Sequence, residues 1–295
     1  MAHLRAAPGG ALTGRRALLW LAAAGCALSV AVNMASAFVR LSLAGLGCEG
    51  WPECAPGYDP GGWSLDGTRL VHRGAAVLAA LAAFGAVVLG FEDRARGNRV
   101  LVVLIAALVI GLTLVGRASA RDPMIPVLLG NLLGGLALAA LFAVLWERNR
   151  RSPPLAAASE GMIVLAALAL AALGAQLVLG ALTSVTQAAA DCASGECKDP
   201  TLGLLMSAHG IFAGPAAMLA LALSGALWWK ARARSCGALL AALAVAQVAL
   251  GSSLGALEMP LALAVAHNAL ANLLLVALAA ALTALVRARR VGAVP

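Results

Sequence analysis

The chain has 295 residues, 62% of them hydrophobic and 12% charged, about half the charged share of a soluble domain. Apolar runs of roughly 20 residues, enough to cross a hydrocarbon core about 30 Å thick, recur along its length. A soluble core is excluded, and the formal net charge of +8 has to be read against the spans before any polyanion partner is invoked.

The pattern predicts an all-α polytopic membrane protein with transmembrane helices at 17–40, 70–91, 100–116, 125–146, 161–186, 204–229, 237–257 and 261–286. A tail at 1–16 carries Arg5, Arg15 and Arg16. The first span follows, with Cys26 inside it. Its basic lead and the "ASA" at 35–37 suggest a cleaved signal peptide, but the apolar run is long for one, so a retained helix is expected. The loop "GLGCEGWPECAPGYDPGGWSLDGTRLVHRG" leads to the second span, and Arg94, Arg96 and Arg99 close it. The fourth span, "PMIPVLLGNLLGGLALAALF", ends in Arg148, Arg150 and Arg151 and the polar linker "ERNRRSPPLAAASE" at 147–160. The loop "DCASGECKDPTLGLLMSAHG" separates the fifth and sixth spans, and Lys230, Arg232 and Arg234 follow the sixth. The eighth, "EMPLALAVAHNALANLLLVAL", ends in the tail 287–295 with Arg287, Arg289 and Arg290.

With eight helices, 15 of the 21 basic residues fall on one side. The positive-inside rule makes that side cytoplasmic and places both termini there, in a bacterial inner membrane. Arg40, Arg69, Arg73, Arg117, Arg121 and Lys198 lie on the other side. The basicity is topology, and no nucleic acid is expected.

The linker divides the chain into two four-helix halves, 17–146 and 161–286. Each half has a span, an outer loop with two cysteines, a span with a histidine near its start, and two further spans. Setting Asn131 against His267 aligns a preceding proline and a following stretch of small residues and leucine. Weak internal similarity of this kind marks a pseudo-repeated membrane fold.

Three of the four histidines, His72, His209 and His267, lie in the outer part of even-numbered spans. One membrane histidine reads as an interhelical hydrogen bond. Two on facing helices at similar depth, His209 and His267, are what a haem iron takes as axial ligands in a bundle core. Zinc would need further ligands that neither helix offers. Small residues recur at helical spacing from His209 (Ala213, Ala216, Ala217, Ala220) and from His72 (Ala76, Ala79, Ala80, Ala83). They leave room for a flat macrocycle, but they equally serve plain helix packing. Cys48 with Cys54 and Cys192 with Cys197 form two close pairs on the oxidising side and read as disulfides, structural or redox-active, while Cys26 and Cys236 read as free thiols.

"VRLSLAGLGCEGWPEC", with "LVHRG", "VLGALTSVTQ", "SAHG" and "AVAHNAL" in that order, resembles the haem A synthase family over roughly residues 17 to 286. The resemblance implies that His209 and His267 hold haem b. It implies that the first half, with His72, binds haem O as substrate and oxidises a porphyrin methyl towards the formyl of haem A for cytochrome oxidase biogenesis. Two positions depart from the family pattern: Arg69 stands where a glutamate is usual, and Asn131 where a histidine is usual. Asp66, Glu49, Glu53 and Asp59 are the carboxylates that remain as stand-ins, and Arg40, Arg69, Arg73 and Arg117 are cations suited to a haem propionate. The implied partners are haem O synthase, cytochrome oxidase subunits and membrane lipid, with a homo-oligomer left open.

Three functions follow: a haem A synthase-type oxidoreductase, the favoured reading; an impaired homologue that binds haem and serves electron transfer or oxidase assembly; and a quinone-linked thiol-oxidising membrane protein, which leaves the histidines unexplained. Reporter fusions after residues 97 and 155 should both score cytoplasmic; a periplasmic score at either point removes the predicted orientation.

Overall fold

The computed structural model describes residues 8–46, 48, 53–54, 62–92, 96–119, 124–150, 158–193, 197–257 and 259–292. Glu49, Asp59, Arg5, Arg94, Arg121 and Arg151 lie outside the described residues. Among the described residues the regular structure is all helical: α1 (Pro8–Leu43), α2 (Gly62–Glu92), α3 (Arg96–Ser119), α4 (Ile125–Asn149), α5 (Glu160–Val185), α6 (Ala188–Asp191), α7 (Pro200–Trp229), α8 (Arg234–Ala256) and α9 (Leu261–Gly292). All but the four-residue α6 are long and apolar enough to cross a membrane. Helix is the form that leaves no backbone group unanswered in hydrocarbon, because each N–H bonds within its own segment.

Most helices outrun the apolar stretches that announce them. Hydrocarbon thickness limits only the apolar part, while alanine, arginine and glutamate carry a helix onward into the flanks. Caps set several starts. Ser159 accepts from the Met162 N–H at 3.3 Å to open α5. Asp199 accepts from the Thr201 N–H at 2.8 Å to open α7, with Pro200 in the first turn where its missing N–H costs nothing. At the other end, α4 continues through Glu147 to Asn149, so the polar linker begins beyond the helix rather than at Glu147.

Helices α1 to α4 pack as a ring, each against its chain neighbour and α4 back on α1; α5, α7, α8 and α9 form a second ring in the same way. In each ring the second and fourth helices stand diagonally opposite: α2 with α4, and α7 with α9. The first ring is filled by Leu18, Ala22, Ala86, Val102, Ile105, Phe142 and Leu145. Gly25 on α1 lies against the Phe142 ring, where a Cβ would collide with it. The second is filled by Met162, Leu173, Leu223, Leu240, Leu278 and Leu285. The outward faces carry bare apolar side chains such as Phe84, Ile110, Ile211 and Trp229, as lipid-facing helices do.

The rings meet where α4 and α1 pack on α9 and α4 packs on α5. A charged joint closes this seam at the end of the helices remote from the cysteine loops. Glu147 is only 1% exposed, and Arg150 and Arg287 approach its carboxylate at 2.6 and 3.1 Å. One Arg287 nitrogen also donates to the carbonyls of Glu147 and Arg150, both at 2.7 Å, and Arg15 Nε donates to the Asn149 carbonyl at 2.8 Å. These carbonyls end α4 with no intrahelical partner, and guanidinium groups suit the negative pole of the helix. Arg150 also lies over the Trp146 ring, 4.8 Å from its centroid. Below it, Asn98 of α3 donates to Asn149 Oδ1 at 3.0 Å and accepts from Arg148 Nε at 3.2 Å.

Removing one member of a buried ion cluster leaves the others uncompensated, at about 3–5 kcal/mol. Glu147→Ala should therefore lower thermal stability in detergent by about that amount; an unchanged melting temperature would show that the joint contributes nothing.

Candidate functional site

At the opposite end of the second ring, α7 and α9 bring His209 and His267 to similar depth, both half-buried. Each imidazole is met by a glutamine from an adjacent helix. Gln176 of α5 places Nε2 at 3.0 Å from His209 Nδ1 and donates to the His209 carbonyl at 2.7 Å. Gln247 of α8 places Nε2 at 3.2 Å from His267 Nε2. Four residues after each glutamine comes a glycine against the ring. A Cβ at Gly180 would stand 2.9 Å from His209 Cε1, and one at Gly251 2.9 Å from His267 Cε1. Both rings therefore rest on bare backbone. His267 Nδ1 is buried with no hydrogen-bond partner among the described residues.

A residue of the first ring reaches this site. Arg40, in the last turn of α1, donates from Nε to Ser184 Oγ of α5 at 2.9 Å, and its Nη2 lies 3.5 Å from Asn268 Oδ1 of α9. Asn268 donates its own amide to the Ala264 carbonyl at 2.8 Å, which turns its oxygen towards Arg40. The outer-side cation that the sequence groups with Arg69, Arg73 and Arg117 thus stands beside His267, at the seam. Buried Leu41, Leu46, Leu254 and Ala264 pack next to it and close the seam at this end.

The first ring is arranged differently. His72 lies well inside α2, not at its opening, on the stripe that buries Ala75, Ala79 and Ala83. It has no hydrogen-bond partner among the described residues. Arg69 is exposed and paired with Asp66 at 3.2 Å. That pairing engages one of the carboxylates available to replace the usual glutamate. Arg73 and Arg117 are exposed on their helices, as is Glu53 in its loop. Asn131 is half-buried on α4, diagonally across from α2. One turn beyond it, Gly135 admits Asn33 of α1 so closely that a Cβ there would clash with the Asn33 oxygen. The Asn33 amide nitrogen is buried without a partner. Sequence reasoning did not single out Asn33.

Nor did it find Gln176 and Gln247. The signal was present: "AQLVLG" at 175–180 and "AQVALG" at 246–251 repeat one glutamine and one glycine at the same spacing in otherwise apolar spans. Among the described residues no group of three or more His, Cys, Asp or Glu side chains could hold a metal ion, so the two imidazoles fall short of the four ligands of a structural zinc. They do suit a planar tetrapyrrole iron, whose other ligands come with the group.

Both cysteine pairs are disulfides. Cys48–Cys54 has a Cα separation of 5.5 Å and Cys192–Cys197 one of 4.0 Å, while Cys26 and Cys236 are free. The second bridge sets Cys197 close to α7, where a Cβ added at Gly203 would stand 3.1 Å from the Cys197 sulfur. Asp191, at the end of α6, accepts from the Asp199 N–H at 2.9 Å and holds the loop at the start of that helix.

Eight apolar spans in two rings, with histidines, an arginine and two disulfides gathered at one end, define a multi-pass helical membrane protein. The COX15-CtaA family model, described as a cytochrome oxidase assembly protein, matches residues 122–279. That is more than half of the chain, and it runs from α4 into α9 through Asn131, His209 and His267; the chain belongs to that family. No curated protein matches it.

Unfolded without reductant, the protein should show two alkylatable thiols out of its six cysteines, Cys26 and Cys236, by mass spectrometry; four reactive thiols would exclude one bridge and six would exclude both.

Proposed function

We propose that the protein is a haem A synthase-type membrane oxidoreductase serving cytochrome oxidase assembly. The second ring holds a haem b between His209 and His267, and the first ring receives haem O beside His72. The observation that carries this reading is the diagonal placement of His209 and His267, each steadied by a glutamine and seated on a glycine. When bound, the haem supplies one-electron transfer. The chain supplies two neutral imidazoles, a dry apolar ring, and Arg40 at its rim for a carboxylate. The arginine-rich end faces the cytoplasm, which leaves the disulfide end on the oxidising side of a bacterial inner membrane.

One observation favours a second reading, a homologue with a weakened substrate ring. Arg69 carries a guanidinium, a donor group with no acceptor, and is already paired with Asp66, so it cannot do the work of a carboxylate base. Asn131 offers an amide where a second imidazole would stand, and an amide is a poor iron ligand beside imidazole.

Purified protein should show a low-spin haem spectrum. His209→Ala or His267→Ala should lose the haem or turn it high-spin, and unchanged content and spectrum in both variants would exclude the assignment. Co-expression with haem O synthase then separates the two readings by pigment analysis. If the wild type makes haem A at a rate that Arg69→Glu with Asn131→His does not raise, the weakened-ring reading is wrong.

A further inference from the structure

The two histidine supports have the same construction, although they come from different helices. In each, a glutamine and a glycine one turn later on one helix hold and seat an imidazole on the adjacent helix. The first ring lacks this device. Aligning Cys48 with Cys192 puts Val32 and Ser36 at the places of Gln176 and Gly180. Aligning Asn131 with His267 puts Gly111 and Val115 at those of Gln247 and Gly251. A general need for helix packing would not distinguish the rings in this way.

The polar inventory is also incomplete in a consistent direction. Gln176 Oε1, Gln247 Oε1 and His267 Nδ1 are all buried without a partner, and His209 Nε2 has none among the described residues. Each glutamine turns its amide nitrogen to one ring nitrogen and leaves its amide oxygen idle. A buried amide oxygen without a donor is unfavourable unless another state of the site answers it.

We infer that Gln176 and Gln247 are positioning residues for a metal-centred cofactor: Gln247 chooses which nitrogen of His267 is offered to it, and Gln176 fixes the His209 ring. A neutral imidazole that gives one lone pair to iron carries its proton on the other nitrogen, and that N–H needs an acceptor. At His267 the idle Gln247 oxygen is the acceptor at hand. With that amide turned end for end, its oxygen accepts from the tautomer that carries the proton on Nε2 and leaves the Nδ1 lone pair free to ligate. Nothing else among the described residues holds the Gln247 amide. The Gln176 nitrogen also donates to the His209 carbonyl at 2.7 Å, and a turned amide would set its oxygen against that carbonyl, so Gln176 stays as it is and fixes the His209 ring in place. The inference rests on the haem reading of this ring.

The test is made on the full-length protein in detergent, with haem content, low-spin electron paramagnetic resonance and midpoint potential as readouts. Glutamate is isosteric with glutamine and accepts more strongly, so Gln247→Glu should keep the haem and shift the midpoint potential downward. Gln247→Leu removes the acceptor and should shift it upward, while Gln176→Leu frees the His209 ring and should lower the low-spin fraction. Gly180→Ala and Gly251→Ala push the rings off their seats and should lower the low-spin fraction. Variants that retain haem with potential and resonance signals equal to wild type would overturn the positioning role alone. A wild type that binds no haem would overturn both this inference and the proposed function.

Discussion

Hydrocarbon offers no hydrogen bonds, so every polar group that the chain carries into the membrane must be answered by another part of the chain. The two ends of the bundle meet this constraint in different ways. At the arginine-rich end it is met by charge: Glu147 is enclosed by Arg150 and Arg287, and the exposed carbonyls of α4 are covered by Arg287 and Arg15. At the disulfide end it is met by neutral amides, and incompletely. Gln176, Gln247, Asn33 and His267 keep buried atoms without hydrogen-bond partners there, and Asn272, deeper in α9, keeps both of its amide atoms so.

The seam between the rings belongs to both of them. Arg40 leaves α1 and ends against Ser184 and Asn268, so the rim of the second ring is partly built by the first. Aligning the cysteine pairs puts Arg40 and Ser184 at equivalent positions, and these two side chains touch. Contact between equivalent positions is what two similar units packed about a common axis produce. The rings nevertheless differ in content: the second has paired histidines on glutamine and glycine supports, and the first has one histidine, an asparagine and an exposed arginine pair.

Much of this was legible in the chain order. The eight spans followed from apolar length, and both disulfides from the close cysteine pairs on one side of the spans. The polar joint was hidden because "ERNRR" reads as a solvated stretch; only the packing of α4 on α9 shows Glu147 buried at its start. Arg40 was indistinguishable from its exposed neighbours on that side, since its partners lie more than a hundred residues away. Gln176 and Gln247 escaped because a glutamine in an apolar span has many readings until the facing side chain is known. His72 was placed too near the start of its helix, because hydropathy marks the edge of hydrocarbon while α2 runs on through polar residues beyond it.

The joint around Glu147 also sets an order of assembly. As the chain is made, Arg150 follows Glu147 within one turn, but Arg287 arrives 140 residues later. Until α9 is inserted, the carboxylate has one cation instead of two, and the last carbonyls of α4 lack the guanidinium that covers them. Arg15 is already present, since α1 precedes α4, and holds the Asn149 carbonyl from the other side. The first four helices can therefore enter the membrane as a ring that is held at one flank and open at the other. Insertion of α9 supplies the missing cation and fastens the second ring to the first in the same step, so the chain reports its own completion at the residue where its halves join.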